Sequence, residues 1–504
     1  MSNTKSNYIN KKTLFICAYR EVSVRYLLYS NIYNELSHDD NIRLVVLVDE
    51  NNLSYFQEKF RLHNIIIEPI FYNRDLKTLK SPLGALFATY RLLTSPKGIR
   101  GENSTKILHH FQYKKEWSKA IRGKFIFIFI SILALISSRF KIIRNLMIRL
   151  EGFFFKGSEY DKLFDKYKPS MLVVSSLGSM LDSYIMNSAK RNNTKVMTVF
   201  HNWDGPTTRG YKAVDIDHAI VWNSDMSNEL VDFQDIEEDN IYIGGSASYD
   251  MYFEKINNNG VEDKNLFFKK YSLDLNKKII FIAPGGQTLW PDGLEMLEGI
   301  LQNIKNGTYA EDAQVILRVH PNFIENYGTN ANIKNKNNFK LGFLKSEYRL
   351  IIEKLQQEFG NLLQLSIPEF VPLNNFVDLP LDDLNTLADL FIHSDILITQ
   401  YSTMLIEGSI FDLPTINNGM GAYSRRGYGK SAKFYENATH IKKIQKFNAY
   451  DNIYSVSEMN KSINKYFLNP RIKSEERMAL TKSVLGINQG QSGKNIGKHI
   501  ACIL

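Results

Sequence analysis

The chain has 504 residues, 44% of them hydrophobic and 23% charged, with a formal net charge of +9. That length is too great for one hydrophobic core and predicts two domains of roughly 200 residues each, and the balance of residue types excludes a disordered or fibrous chain. The two cysteines, Cys17 and Cys502, lie in apolar runs; they cannot form a disulfide framework and predict buried free thiols in a reducing compartment.

The polar start leads straight into a predicted strand, Thr13 to Ala18, so no signal peptide is expected. A helix follows over Glu21 to Leu36, then strands at Ile42 to Val48 and Ile65 to Phe71. Strand–helix alternation of this kind predicts a parallel sheet. The loop after the first strand is Tyr19-Arg20-Glu21, with no Gly-x-Gly-x-x-Gly, which argues against a dinucleotide cofactor.

From Lys106 to Lys156 the composition changes: eleven Lys and Arg stand against two acids, Glu116 and Glu151. Within it, Phe125 to Ser138 carries no charge over fourteen residues, short of the roughly 20 needed to cross a bilayer. Basic and apolar residues then interleave to Leu150. Such a segment suits the interface of an anionic membrane, docking through Lys124, Phe125, Phe127, Phe129, Arg139, Lys141 and Arg144. The competing reading is a buried helix or strand of the N-terminal domain with solvated basic flanks. Nucleic acid is not expected as a partner, because no docking motif is present.

Regular α/β structure resumes with strands at Met171 to Ser175, Lys195 to Phe200, His218 to Trp222 and Ile241 to Ile243, completing a domain over 1–250. The Lys195 strand delivers His201-Asn202-Trp203-Asp204. A histidine at a strand end can serve as a general base near neutral pH, with Asp204 orienting it or acting in its place; a histidine satisfied by a backbone carbonyl is the plainer alternative. Asp215-Ile216-Asp217 matches a metal-binding pair only weakly and reads as structural, and no metal site is expected. Residues 251–277 read as a linker. A second α/β domain over 278–454 opens with the strand Lys278 to Ala283 and the turn Pro284-Gly285-Gly286-Gln287-Thr288, where the glycines let a ligand approach the backbone. Gln314 to Val319 is its next strand and ends in Arg318-Val319-His320-Pro321. A helical tail occupies 455–504.

The most informative stretch is Leu387 to Ile416, read as helix, strand, tight turn, helix and strand. It contains the pattern Asp395, Thr399, Ser402, Thr403 and Glu407. A strand feeding a helix at its carboxyl end presents hydroxyls and N–H groups suited to a phosphate, although Ser402-Thr403 alone also fits a capped helix without a ligand. This stretch resembles the donor-site motif of GT-B glycosyltransferases, and within them the group of CDP-glycerol glycerophosphotransferases and capsule or surface-polysaccharide transferases. The resemblance extends with useful motifs from about Ser170 to Ile416.

It implies two Rossmann-like domains facing across a cleft, acting from the cytoplasm on the inner face of the cell membrane. It implies an enzyme that transfers a glycosyl or polyol-phosphate group from a nucleotide-activated donor to a glycan or lipid-linked acceptor, without a cofactor or metal. By the same resemblance His201 or Asp204 is the base, although the family's His-Gly is His201-Asn202 here. His320 handles a phosphate oxygen, and the donor meets Gly285, Gly286, Thr288, Arg318, Ser402, Thr403 and Glu407. A nucleotide-sugar epimerase of the same fold and a catalytically silent membrane-associated partner are the alternatives.

Overall fold

A computed structural model describes residues 11–61, 65–97, 103–178, 181–257, 260–285, 290–324, 344, 346–374, 377–420 and 435–504. The chain forms two compact units, Met1–Asp250 with Leu485–Leu504, and Met251–Val484.

The first unit is built on a seven-stranded sheet. Its strands are β1 (Lys12–Cys17), β2 (Ile42–Asp49), β3 (Ile66–Ile70), β4 (Met171–Val174), β5 (Lys195–Val199), β6 (His218–Val221) and β7 (Ile241–Ile243), in the order β3-β2-β1-β4-β5-β6-β7. Every pairing is parallel. Parallel strands are covered on both faces, which is why β1, β2 and β4 read as unbroken apolar runs and not as alternating ones. The order reverses between β1 and β4, so the loops leaving those two strands diverge and open a crevice at the carboxyl edge.

The second unit carries a six-stranded parallel sheet. Its strands are β8 (Lys278–Ala283), β9 (Ala313–Arg318), β10 (Leu363–Ser366), β13 (Ile396–Thr399), β14 (Thr415–Asn418) and β15 (Asp451–Ile453), in the order β10-β9-β8-β13-β14-β15. A short antiparallel pair, β11 (Val371–Pro372) and β12 (Val377–Asp378), stands apart from it. Here the reversal falls between β8 and β13, and Ala283 pairs with Thr399, so the chain leaves both strands at one level. Ile280, Ile282, Val315, Leu317, Ile396 and Ile398 are buried in the core beneath.

Several expectations are corrected. The helix expected over Glu21 to Leu36 breaks into Glu21–Leu28 and Asn31–Ser37, because Ser30 accepts from Ile32 N and caps the second piece. The interval 251–277 is folded into the second unit, with Tyr252, Phe267 and Phe268 buried. The tail divides: helix Val456–Leu468 packs in the second unit, while Ser492–Ile503 belongs to the first, where Asp250 accepts from Ser492 N and Gly493 N at 3.0 and 2.6 Å. Cys17 is buried, but Cys502 is exposed near the end of the last helix, on the face turned from the core.

Candidate functional site

In the second unit, four loops leave the carboxyl edge around the reversal. Pro284 and Gly285 follow β8, and Gln400 to Thr403 follow β13. His320 follows β9, and Gly419 follows β14. Gly286 and Thr288 lie outside the described residues.

The turn after β13 is held from two sides. Asn417 of β14 accepts from Tyr401 N at 2.8 Å and donates to Asn452. The Tyr401 hydroxyl donates to Glu436, which also accepts from Tyr454. These contacts keep Tyr401 at φ +41°, a left-handed conformation that a bulky residue adopts only when its surroundings impose it.

The strained turn drives Gln400 inward. Its side chain is 2% exposed, and neither amide atom has a hydrogen-bond partner among the described residues. An unmet buried amide costs roughly 1–3 kcal/mol for each group left unsatisfied, so this is unspent hydrogen-bonding capacity at the reversal point of an open sheet.

Ser402 is half-buried, pairs with Thr399 Oγ1 at 2.8 Å and accepts from Met404 N. Thr403 is exposed and donates to Glu407 at 2.9 Å. The first N–H groups of helix Met404–Ile410 are already donated, to Ser402 Oγ, Ser402 O and Thr403 O. A ligand here would therefore meet hydroxyls and the Gln400 amide more than free helix N–H groups.

Two expected donor contacts are corrected. Glu407 does not face outward: it is 7% exposed and its second oxygen accepts from Tyr252, itself packed between Phe391 and Phe411. It orients Thr403 from inside. Arg318 is buried, with its guanidinium paired to Asp383 and donating to Ser366. Asp383 also accepts from Glu369 N, so this pair ties β9 to the loop beyond β10. His320 is where the sequence places it, edge-on to Phe323, and burial pushes its imidazole down to about 4.

In the first unit, His201 lies at the carboxyl edge beside the reversal. Its Nδ1 is 2.9 Å from Ser175 O at the end of β4. A carbonyl only accepts, so Nδ1 carries the proton and Nε2 keeps the lone pair. Burial, with Arg20 and Arg209 nearby, pushes the imidazole down to about 4. His201 is thus a neutral acceptor at ordinary pH. Asp204 accepts from Thr208 at 2.8 Å; the group fixing the tautomer of His201 is the Ser175 carbonyl.

Beside His201 lies a buried charged cluster that no motif in the chain signals. Asp182, 1% exposed, lies 3.7 Å from Arg20 and accepts from Ser176, and burial pushes its carboxyl up. Arg20 was legible only as a polar residue in the loop after β1. Asp215 and Asp217 pair with Lys212 and Lys190, and Asp217 also accepts from Val196 N.

No family model matches the chain, and no curated protein sequence matches it. Solved structures do. A co-structure of S. aureus MnaA with UDP is 11% identical, with 98% of this chain and 96% of that one covered at a TM-score of 0.50. UDP-GlcNAc 2-epimerase from Neisseria meningitidis, bound to UDP-GlcNAc, is 12% identical, with 97% and 98% covered at 0.50. The wall teichoic acid polymerase TagF is 12% identical, with 99% and 90% covered, at a TM-score of 0.43 that bears no weight. At such identities the likeness concerns the fold alone. The chain has the two-domain α/β architecture of the GT-B type.

Proposed function

We propose that the protein is a GT-B transferase that moves a glycosyl or polyol-phosphate group from a nucleotide-activated donor to a cell-surface glycan or lipid-linked acceptor. The observation that carries this reading is Gln400, buried with both amide atoms unmet at the reversal point of the second sheet, between Pro284-Gly285 and Ser402-Thr403. Nucleotides bind open α/β sheets at that edge.

In this reading the second unit holds the donor. Gln400 and Ser402 meet its diphosphate, while Thr403, whose hydroxyl proton goes to Glu407, is left to accept from a hydroxyl of the donor. His320 neutralises the leaving phosphate: an approaching anion raises the pKa of a neighbouring imidazole. The first unit supplies His201. Its Nε2 takes the proton of the attacking acceptor hydroxyl as the new bond to carbon or phosphorus forms. The electron pair of the broken bond leaves on the nucleotide phosphate oxygen. Catalysis is then positioning and charge stabilisation.

A nucleotide-sugar epimerase is the second reading, because the UDP-GlcNAc 2-epimerase of Neisseria meningitidis shares the fold. Labelled UDP- and CDP-activated donors, incubated with and without membrane extract, separate the two. Transfer of label into lipid or polymer that is lost in His201→Asn supports the transferase. Conversion of donor alone to its epimer would replace it.

A further inference from the structure

The two helices Ile121–Arg139 and Lys141–Phe154 turn their apolar faces outward. On the first, Ile121, Phe125, Phe129 and Ile132 recur at helical spacing and are 75, 71, 61 and 53% exposed. On the second, Ile142, Leu146, Leu150 and Phe153 do the same, from 79% down to 39%. With their neighbours they make fourteen exposed large apolar residues between 121 and 154. At roughly 70–100 Å² each the patch approaches 1,000 Å² or more, beyond the roughly 300–600 Å² of the largest patch on a typical monomer.

The exposed charges on the two helices have one sign, and among the described residues the one exposed acid that meets them is Glu237, 3.4 Å from Lys141. Arg122, Lys124, Arg139, Lys141, Arg149 and Lys156 are exposed along the two helices. The only acid on them, Glu151, is 2% exposed and paired inward with Arg91 at 3.4 Å.

The opposite faces are committed to protein. Phe127, Ile130 and Ala134 are buried. Ser138 accepts from Ser95 N at 3.0 Å. Arg144 donates to Asp235 at 2.7 and 3.0 Å and to Ser137 O at 2.7 Å. Phe127 and Arg144, expected at the docking surface, are therefore removed from it. Their pattern in the sequence is the same as that of their exposed neighbours, and only Asp235 and the adjoining helices decide which face turns in.

A helix of 19 residues is about 28 Å long, near the thickness of a bilayer core. From Phe127 to Ser138, however, one face is buried against the protein, so lipid cannot surround the helix. We infer that the first unit docks on an anionic bilayer surface by laying the exposed faces of Ile121–Arg139 and Lys141–Phe154 into the interface, without crossing it. An apolar face rimmed by lysine and arginine fits acyl chains below acidic headgroups. The inference stands on this surface and does not depend on the transferase reading. The pair is also braced against the His201 edge: Arg91, bound to Glu151, donates to Gly178 O at 2.6 Å on the loop that follows β4.

The test is flotation of the full chain with phosphatidylcholine vesicles, with and without phosphatidylglycerol. The protein should float with the anionic vesicles and stay behind with the neutral ones. Phe125→Ser with Phe129→Ser should lower binding by tenfold or more. Arg139→Gln with Lys141→Gln should lower it by roughly 30-fold at low salt, from about 1 kcal/mol per cation. Ile487→Ser, an equally exposed apolar site of the same unit, should change nothing. Circular dichroism and melting temperatures unchanged from wild type show that the variants fold. Failure to float, or self-association in sedimentation abolished by Phe125→Ser with Phe129→Ser while vesicles are ignored, would overturn the inference.

Discussion

His201 offers the sharpest quantitative test, because the structure gives it a tautomer, a partner and a pKa. Its imidazole falls from an ordinary 6.5 to about 4 in the folded chain. The unfolded chain therefore takes the proton first. The stability that a neutral His201 confers is complete above 6.5, is lost as pH falls toward 4, and levels off below. Between roughly pH 7 and pH 5 the loss amounts to about 2 kcal/mol, most of a total near 3 kcal/mol. His320, pushed to about 4 by burial alone, contributes a similar loss in the second unit. Asp182 and Glu151, with carboxyls pushed up, act in the opposite sense, so the variant must be compared with wild type at each pH. His201→Asn is the right perturbation: its amide N–H replaces Nδ1–H to Ser175 O and does not titrate. Urea unfolding of both proteins at the two pH values should show wild type losing about 2 kcal/mol more than the variant. NMR of the imidazole should show no titration above about 5. A His201 that titrates near 6.5, or equal losses in the two proteins, would refute the assignment of a buried, neutral acceptor.

Other consequences are simpler to read. Arg318→Met leaves Asp383 buried and unpaired, and should destabilise the second unit by about 3–5 kcal/mol in thermal or urea unfolding; unchanged stability with lost nucleotide binding would return Arg318 to the donor site. Native protein should react with a thiol reagent at Cys502 only, and at Cys17 as well after denaturation, since Cys17 is buried and burial raises its thiol pKa. Rapid native labelling of Cys17 would contradict the packing of β1.

The architecture was legible because buried parallel strands must be apolar on both faces. The runs at β1, β2, β8, β9 and β13 announce themselves, and the histidines at the ends of β5 and β9 stand out against them. What one dimension hides is rotation. Glu407 sits four residues beyond Thr403 whether it faces a ligand or Tyr252, and the Tyr252 side chain decides. Phe127 and Arg144 are likewise turned inward by partners far along the chain. Gln400 carries no signal within the tight turn, because the strain that buries it comes from Asn417 and Glu436. Arg20 and Asp182, separated by 162 positions, meet only because β1 and β4 are neighbours.

In the proposed reading the carboxyl edge of the second sheet receives the diphosphate of a nucleotide. Thermal-shift titration with CDP and UDP tests it most directly, since a ligand bound only by the folded state adds about 2.7 kcal/mol at a hundred times its Kd. Wild type should show a clear rise in melting temperature, and Gln400→Leu a binding constant weakened about tenfold or more, with the variant's own fold intact. No shift with either nucleotide, or a shift that Gln400→Leu leaves untouched, would contradict it.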